Sequence, residues 1–330
     1  MKPLTVVPLY ANLPNNLQLR AFGKTEGRKI ILATNIAETS VTINGIRYII
    51  DTGLFKIKTY LASTGIESLK ISAISKNSAV QRAGRAGREA PGKCFRLYTE
   101  EIYNEMLTTT VPEIFRTNLS RVILQLKAMG IKDVSEFDFI DRPNKQLYIK
   151  AFKELNDLKC LDINANLNDM GRKMAILPTE PIFSKLMVHS LRPEFVSICK
   201  DIAIIVAMLS VENIFYTPRA NQRKAERKHK KFMVSNSDHL TLLNIYYYYK
   251  GNRNNREFCT ENFINEKSIK KAVQITDQLM GYFKNISKES CEEETKVVEK
   301  SDQQLLSDFQ TSGHDIEHNE DRNQLIIKCL

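Results

Sequence analysis

The chain has 330 residues, of which 42% are hydrophobic, and its formal net charge at pH 7 is +10. This composition fits a globular protein of two or three domains, and the positive charge predicts attraction to phosphate backbones. The cysteines are scattered and form no C-x-x-C pair, which argues against a disulfide framework. The apolar runs are too short to cross a membrane, and the N-terminus has no signal-peptide pattern, so neither a membrane partner nor secretion is expected.

The first elements alternate between strands and a helix. Thr5 to Tyr10 predicts a short strand, Leu17 to Phe22 a short helix, and Lys29 to Ala33 an apolar strand. A loop dense in small hydroxyl and amide side chains follows at Thr34 to Ile43 (TNIAETSVTI). An α/β sheet presents its ligand contacts in such loops, at the carboxyl ends of its strands. We therefore predict an α/β fold with a ligand site in this loop.

The next stretch predicts a third strand and a hairpin. Ile46 to Asp51 is a run typical of a buried strand. Two alternating runs flank a turn at 62–65 and predict a β-hairpin near 54–72: Phe55 to Tyr60 and Ile66 to Ile71. A helix follows this hairpin, and it has two candidate N-caps, Asn77 and Ser78.

The helix leads into Gln81 to Arg88 (QRAGRAGR), a strongly cationic stretch. On one helix at about 100° per residue, Gln81, Arg85 and Arg88 share a narrow stripe, whereas Arg82 points elsewhere. Guanidinium forks suit a polyphosphate whose charge grows in a transition state, and a glutamine can orient water. The hypothesis is a pair of arginine fingers with a water-positioning glutamine, and the alternative is a solvated basic helix. The hydroxyl-rich loop upstream favours the first.

Together, these two stretches resemble motifs V and VI of the second RecA-like domain of DEAH-box RNA helicases. The resemblance continues from Pro91 to Glu100 and through most of the chain to about Phe283. It implies a protein that hydrolyses ATP, or another nucleoside triphosphate with Mg²⁺, in order to translocate on RNA or unwind it. It also implies that the nucleotide binds between this domain and a first RecA-like domain.

The resemblance assigns catalytic roles to four residues. Arg85 and Arg88 would stabilise charge on the γ-phosphoryl group, while Gln81 and Ser40 would hold the attacking water. The loop that cradles the phosphates and the acidic Mg²⁺ ligands would lie in the first RecA-like domain. We therefore expect no metal ligands in this chain.

The resemblance also assigns binding roles. Phe22 would stack on the adenine, with an ordinary core position as the alternative. Thr42 and Asn44 would contact the ribose, and Asn44 stands where the family commonly has Asp. Side chains expected to contact RNA phosphates or ribose are Thr34, Asn35 and Thr39. For each of these polar residues a local turn or cap is the alternative. The hairpin would act as a wedge beside the RNA.

After Tyr98 the sequence becomes helical. Leu119 to Met129 predicts a helix that ends at Gly130, and Leu147 to Leu158 predicts another. Leu167 to Pro178 has the turn and strand character of a wing. The predicted domains are a partial second RecA-like domain at 1–110, a winged-helix domain at 111–178, an all-α ratchet bundle at 179–286 that would line the RNA channel, and an acidic, disordered tail at 287–330.

Three further stretches have competing interpretations. The basic run 219–231 is a solvated face, a nuclear-localisation patch or a phosphate contact. Tyr246 to Tyr249 stack bases or, as we expect, pack in the core, since four consecutive side chains cannot share one helix face. His314 to His318 fits a zinc-peptidase pattern, H-x-x-E-H, but no third ligand or pocket is evident.

The sequence contains no G-x-x-x-x-G-K-[ST] and no D-E-A-H. We therefore expect the middle-to-C-terminal part of a helicase, ending near where an OB-fold would begin and inactive in ATP hydrolysis alone. A non-catalytic RNA-binding or adaptor product of a truncated helicase is the alternative. Expected partners are RNA, the first RecA-like domain and an activator protein, and the expected location is the nucleus or nucleolus rather than the cytoplasm.

Overall fold

The fold is described from a computed structural model of the chain. It covers residues 3–11, 13, 15–61, 63–218, 221–290 and 320–330. The chain divides into two compact units. Unit 1 comprises residues 1–119 and 138–151, and unit 2 comprises residues 120–137 and 152–330. Each unit has a core of its own.

Unit 1 contains the strands. They are β1 (Leu4–Leu9), β2 (Arg28–Ala33), β3 (Tyr48–Asp51), β4 (Leu54–Leu61), β5 (Ile66–Ala73) and β6 (Lys93–Arg96). Within the described part of the chain, β1 pairs parallel with β2, β3 pairs parallel with β6, and β4 pairs antiparallel with β5. The parallel pairs and the intervening helices confirm the predicted α/β fold, and the predicted hairpin is the β4–β5 pair.

Three short helices join these strands, α1 (Asn15–Phe22), α2 (Ile36–Thr39) and α3 (Lys76–Gly84), and α4 (Glu100–Glu105) follows β6. Buried Ala21 of α1 packs with Val7 and Leu9 of β1 in one small core. A second core surrounds Ala79 of α3 and Met106, which follows α4. These cores hold α1 and α3 against the strands whose ends carry the predicted site.

The third strand is less buried than its apolar sequence predicts. Tyr48 and Ile50 each expose 69% of their surface, whereas Asp51 is 2% exposed. Successive side chains of a strand point to opposite faces, and here one face is open. The prediction of a buried strand over Ile46 to Asp51 is therefore wrong, and the strand itself begins at Tyr48.

The long regular elements among the described residues of unit 2 are helices. The helices are α5 (Ser120–Ala128), α6 (Lys145–Asp157, which begins in unit 1), α7 (Asp169–Ile176), α8 (Pro181–Ser190), α9 (Cys199–Leu209), α10 (Gln222–Lys230), α11 (Asp238–Gly251), α12 (Asn255–Asn262), α13 (Glu266–Ser290) and α14 (Glu320–Cys329). Helix α9 is the centre of this bundle, because its residues from Ile202 to Met208 are at most 2% exposed. Tyr246, Tyr247 and Tyr249 of α11 are also buried, as the core interpretation predicts.

The stretch expected to form a wing is helix α7. Asn168 caps it, since its side chain accepts a hydrogen bond from the Gly171 backbone N–H at 2.9 Å. Gly171 is a packing residue, because a Cβ there would lie 2.3 Å from the Cys160 carbonyl oxygen. The wing prediction for Leu167 to Pro178 is therefore wrong.

The predicted disordered tail is wrong at both of its ends. Helix α13 continues to Ser290, and α14 packs against unit 2 with Ile326 fully buried. In α14, Arg322 forms hydrogen bonds of 2.8 and 2.6 Å to the two carboxylate oxygens of Asp201 on α9. Tyr247 donates a third to Asp201 at 2.6 Å. The intervening residues, which include His314 to His318, lie outside the described residues.

None of the helices in the described ranges has the length and apolar character needed to cross a bilayer.

Candidate functional site

The hydroxyl-rich loop begins where β2 ends. The Thr34 backbone N–H donates to the Leu9 carbonyl at 3.1 Å, and the chain then forms the single turn of α2. Asn35 is at the N-cap of α2, but its side chain makes no capping hydrogen bond. Side chains at both ends of this turn are exposed: Thr34, Asn35, Thr39 and Ser40. The local cap alternative therefore does not account for Asn35.

Helix α3 begins and ends at residues other than those predicted. Its N-cap is Ser75, whose hydroxyl accepts from the Ser78 backbone N–H at 3.2 Å, so neither Asn77 nor Ser78 is the cap. The helix ends at Gly84. Arg88 therefore lies beyond it, and the prediction of one helical stripe through residues 81, 85 and 88 is wrong. Glycines at 84 and 87 disfavour a helix, which explains the early end.

The turn after α3 nevertheless brings both predicted arginines to the hydroxyl-rich loop. Arg85 Nη1 donates to the Val41 carbonyl at 3.2 Å, and Arg88 Nη1 donates to Thr42 Oγ1. Burial and the positive charge of Arg88 lower the pKa of Arg85. Two guanidinium groups thus lie together on the loop, which favours a bound anion. Gln81 is exposed on the last turn of α3.

The turn that contains Asn44 is tied to the same region. Asn44 is exposed, and the backbone N–H of Gly45 donates to Glu89 Oε2 at 2.9 Å. Phe22, at the end of α1, is also exposed, with 42% of its surface accessible. That exposure does not fit an ordinary core phenylalanine, the alternative weighed from the sequence.

Arg82, which the sequence did not assign to the site, is the centre of a buried ion cluster. Its Nε donates to Glu38 Oε2 at 2.9 Å, and its Nη1 donates to Asp51 Oδ1 at 2.8 Å. Tyr98 donates to the other oxygen of Asp51 at 3.1 Å. Burial alone would lower the pKa of Arg82, but its bonds to Asp51 and Glu38 outweigh burial and raise that pKa.

This cluster joins the three elements that carry the predicted site. Glu38 lies in α2, Asp51 ends β3, and Arg82 lies in α3. The arginine therefore fixes the loop after β2 to the helix that precedes Arg85. One signal in the sequence pointed to it: a carboxylate at the end of an apolar strand requires a charged or hydrogen-bonding partner when it is buried.

Close backbone approaches surround the same cluster. Gly53 has a φ of +73°, and a Cβ there would lie 2.7 Å from the Tyr98 ring. Gly92 lies where a Cβ would be 2.4 Å from the Ala86 carbonyl oxygen and 2.6 Å from that of Arg47. Both positions require glycine, because any side chain would displace the cluster or the turn that carries Arg88.

A double-mutant cycle measures the strength of this cluster. We expect Glu38→Gln and Arg82→Gln to show a coupling of about 1–3 kcal/mol in the free energy of unfolding, because both side chains are largely buried. The matched control is the exposed pair Lys58 and Glu67 of the hairpin, for which we expect less than about 1 kcal/mol. Urea denaturation gives both values. Equal coupling in the two pairs would contradict a special role for Arg82.

The exposed side chains fit a nucleoside triphosphate better than a metal ion. Two guanidinium groups and several hydroxyls match phosphate and ribose oxygens. Within the described ranges, no group of three His, Cys, Asp or Glu residues is arranged to bind a metal ion.

Comparison with known proteins agrees with this geometry. Residues 2–90 match the helicase conserved C-terminal domain, and residues 180–242 match the helicase associated domain (HA2), ratchet-like. The pre-mRNA-splicing factor ATP-dependent RNA helicase prp22 of Schizosaccharomyces pombe is 45% identical over 280 residues, which is 84% of this chain and 24% of that protein. The chain therefore spans about a quarter of the length of this relative. From these matches and the paired arginines at the hydroxyl-rich loop, we conclude that the chain belongs to the DEAH-box RNA helicase family.

Proposed function

We propose that this chain provides one half of the ATP site of an RNA helicase and part of its RNA-binding surface. The observation that carries the proposal is the meeting of Arg85 and Arg88 with Val41 and Thr42 on an exposed part of unit 1. Arginines so placed are available to a phosphate group presented by a second RecA-like domain.

On this proposal, the nucleotide contacts divide by chemistry. Arg85 and Arg88 stabilise the charge that develops on the γ-phosphoryl oxygens, while Gln81 and Ser40 orient the attacking water. Thr42 and Asn44 contact the ribose, and Phe22 stacks on the base. The Mg²⁺ that accompanies ATP neutralises phosphate charge, and its ligands belong to the first RecA-like domain.

RNA contacts on this proposal come from the same loop. Thr34, Asn35 and Thr39 offer hydroxyl and amide groups, which bind phosphate or ribose without reading the base sequence. The β4–β5 hairpin acts as a wedge beside the RNA, and the ratchet bundle of unit 2 makes RNA contacts of its own. We also propose that residues 111–178 form a winged-helix domain. Its wing does not lie at 167–178, because that stretch contains helix α7.

Partners and location follow from the relative and remain part of the proposal. The partners are RNA, a first RecA-like domain and an activator protein. Because the relative is a pre-mRNA-splicing factor, the expected location is the nucleus.

One observation favours a second candidate function. The 330 residues contain neither a P-loop nor a D-E-A-H sequence. A product limited to these residues would serve as a non-catalytic RNA-binding or adaptor protein.

ATP turnover separates the two candidates. We expect purified residues 1–330 to release no phosphate from ATP above background, because their sequence contains no P-loop to cradle the α- and β-phosphates. Joined in one chain to a P-loop RecA-like domain of a related helicase, the same residues should hydrolyse ATP when RNA is added. Robust turnover by residues 1–330 alone, abolished by Arg85→Ala, would refute the proposed division of the site.

A further inference from the structure

Glu89 lies beside the turn that carries Asn44, and it has no role in the proposed division of the nucleotide contacts. Its carboxylate Oε2 accepts a hydrogen bond of 2.9 Å from the backbone N–H of Gly45. Gly45 has a φ of +80°, a conformation that glycine adopts without strain. The Glu89 carboxylate therefore lies beside a residue to which the proposed function assigns a ribose contact.

Contacts on both sides of Glu89 fix the backbone that carries it. The preceding residue, Arg88, donates a hydrogen bond to Thr42 Oγ1. After Glu89, the Lys93 backbone N–H donates to the Arg47 carbonyl at 2.9 Å, at the start of the pairing between β3 and β6. The fold therefore holds Glu89 against the turn at Gly45.

The second carboxylate oxygen of Glu89 has no partner among the residues that the structure describes. Within those residues, Oε1 accepts no hydrogen bond, and no Lys, Arg or His nitrogen lies within 4.0 Å of the carboxylate. The Glu89 side chain is exposed, and so are those of Thr42 and Asn44. The contact to Gly45 occupies one oxygen, and the other is available to accept a hydrogen bond from a ligand.

The charges along this loop match different parts of a nucleotide. The guanidinium groups of Arg85 and Arg88 contact the loop at 41–42, where they attract phosphate, whereas the Glu89 carboxylate contacts it at Gly45. A carboxylate repels phosphate and accepts hydrogen bonds from neutral donors. The neutral donors of a nucleoside triphosphate are its ribose hydroxyls and the amino group of its base. Beside the turn assigned to the ribose, a ribose hydroxyl is the fitting donor.

We propose that Glu89 accepts a hydrogen bond from the ribose 2′-hydroxyl and makes the site selective for ribonucleotides over 2′-deoxyribonucleotides. The inference rests on the proposed function, because it places the ribose against Thr42 and Asn44. The Asn44 amide carries no charge, and a hydrogen bond to a charged group is about twice as strong as one between neutral groups. Glu89 therefore supplies the charged acceptor at this turn.

Nucleotide preference tests this contact in the protein that joins residues 1–330 to a P-loop RecA-like domain. We expect the KM for ATP to be about tenfold lower than the KM for 2′-deoxyATP, which lacks the donor. Glu89→Ala should raise the KM for ATP about tenfold and change the KM for 2′-deoxyATP less than about twofold. With either nucleotide kcat should stay within about twofold, because a ribose contact is equally strong in the ground and transition states.

Two further variants separate the charge of Glu89 from its contact with the turn. Glu89→Gln keeps an oxygen for the Gly45 N–H but loses the charge, and we expect its preference for ATP to fall to about threefold. Glu105→Ala removes an exposed carboxylate of α4 and is the matched control, with an expected change in either KM of less than about twofold. Circular dichroism and thermal unfolding establish that each variant is folded.

An equal rise of both KM values in Glu89→Ala would overturn the proposal, because the carboxylate would then serve only the turn. No change in either KM would overturn it too, as would a lost preference against 3′-deoxyATP in place of 2′-deoxyATP. Arg85→Ala separates this failure from that of the proposed function. If Arg85→Ala lowers kcat while Glu89→Ala leaves the nucleotide preference intact, only the Glu89 contact fails. If Arg85→Ala leaves kcat unchanged, the proposed function fails, and this inference fails with it.

Discussion

Arg85→Ala, in a protein that joins residues 1–330 to a P-loop RecA-like domain, is expected to lower RNA-stimulated kcat for ATP hydrolysis about 10³-fold. Removing an arginine that stabilises the charge of phosphoryl transfer costs about this much in related chemistry. The loss should appear in kcat rather than in KM, because the stabilised charge grows only in the transition state. Arg85→Lys should recover only part of it, since an ammonium group lacks the planar fork.

Arg20→Ala is the matched control for this prediction. Arg20 is an exposed arginine in the last turn of α1, and its removal changes the net charge equally. We expect its kcat to remain within about twofold of the parent value, as for a surface change away from the site. Steady-state phosphate release measures all three variants. A kcat for Arg85→Ala close to that of Arg20→Ala would contradict the arginine-finger assignment.

Arg322→Ala is expected to lower the free energy of unfolding of unit 2 by about 3–5 kcal/mol. Asp201 is 1% exposed, and it would retain a buried negative charge after losing two hydrogen bonds from Arg322. Breaking a buried ion pair from one side is costly for this reason. Burial and the charge of Asp201 also raise the pKa of Tyr247 well above its ordinary value, so that its hydroxyl stays a donor to Asp201.

A charge-free pair tests the physical origin of that loss. Asp201→Asn combined with Arg322→Leu removes both charges, and we expect it to recover most of the stability lost in Arg322→Ala. Arg253→Ala, an exposed arginine of unit 2, is the control, with an expected change within about 0.5 kcal/mol. Urea denaturation followed by circular dichroism measures each. A loss below 1 kcal/mol for Arg322→Ala would mean that α14 contributes little to unit 2.

Local patterns predicted the elements that local interactions determine. The alternation of Phe55 to Tyr60 and Ile66 to Ile71 predicted the β4–β5 hairpin, and the structure contains it. Helix α5 ends as predicted before Gly130, whose φ is +93°. In each case the residues that decide the conformation are close in the sequence.

The predictions of secondary structure failed where a contact with a distant residue or a glycine determined the local conformation. Leu167 to Pro178 was expected to form a wing, but it forms helix α7, in which Gly171 leaves room for the Cys160 carbonyl. Gly84 ends α3 early, so Arg88 reaches Thr42 from a turn and not from a helix. Periodicity within one element carries no information about either contact.

The ion cluster of the candidate site was only partly predictable from the sequence: a carboxylate at the end of an apolar strand indicates that a partner is needed, but not which residue it is. Arg82 finds its partners 31 and 44 positions away, at Asp51 and Glu38. The sequence identified Arg85 and Arg88 because a paired motif marked them. No comparable spacing marks a buried pair that forms only once β3, α2 and α3 are packed together.

The shortness of α2 has a consequence for the proposed nucleotide and RNA contacts. Asn35 and Ser40 flank a helix of only one turn, which the Arg82 cluster fastens to α3. If Asn35 binds RNA and Ser40 faces the γ-phosphate, as proposed, then a single helical turn connects the RNA contact to the nucleotide contact. A displacement of one contact would therefore reach the other directly.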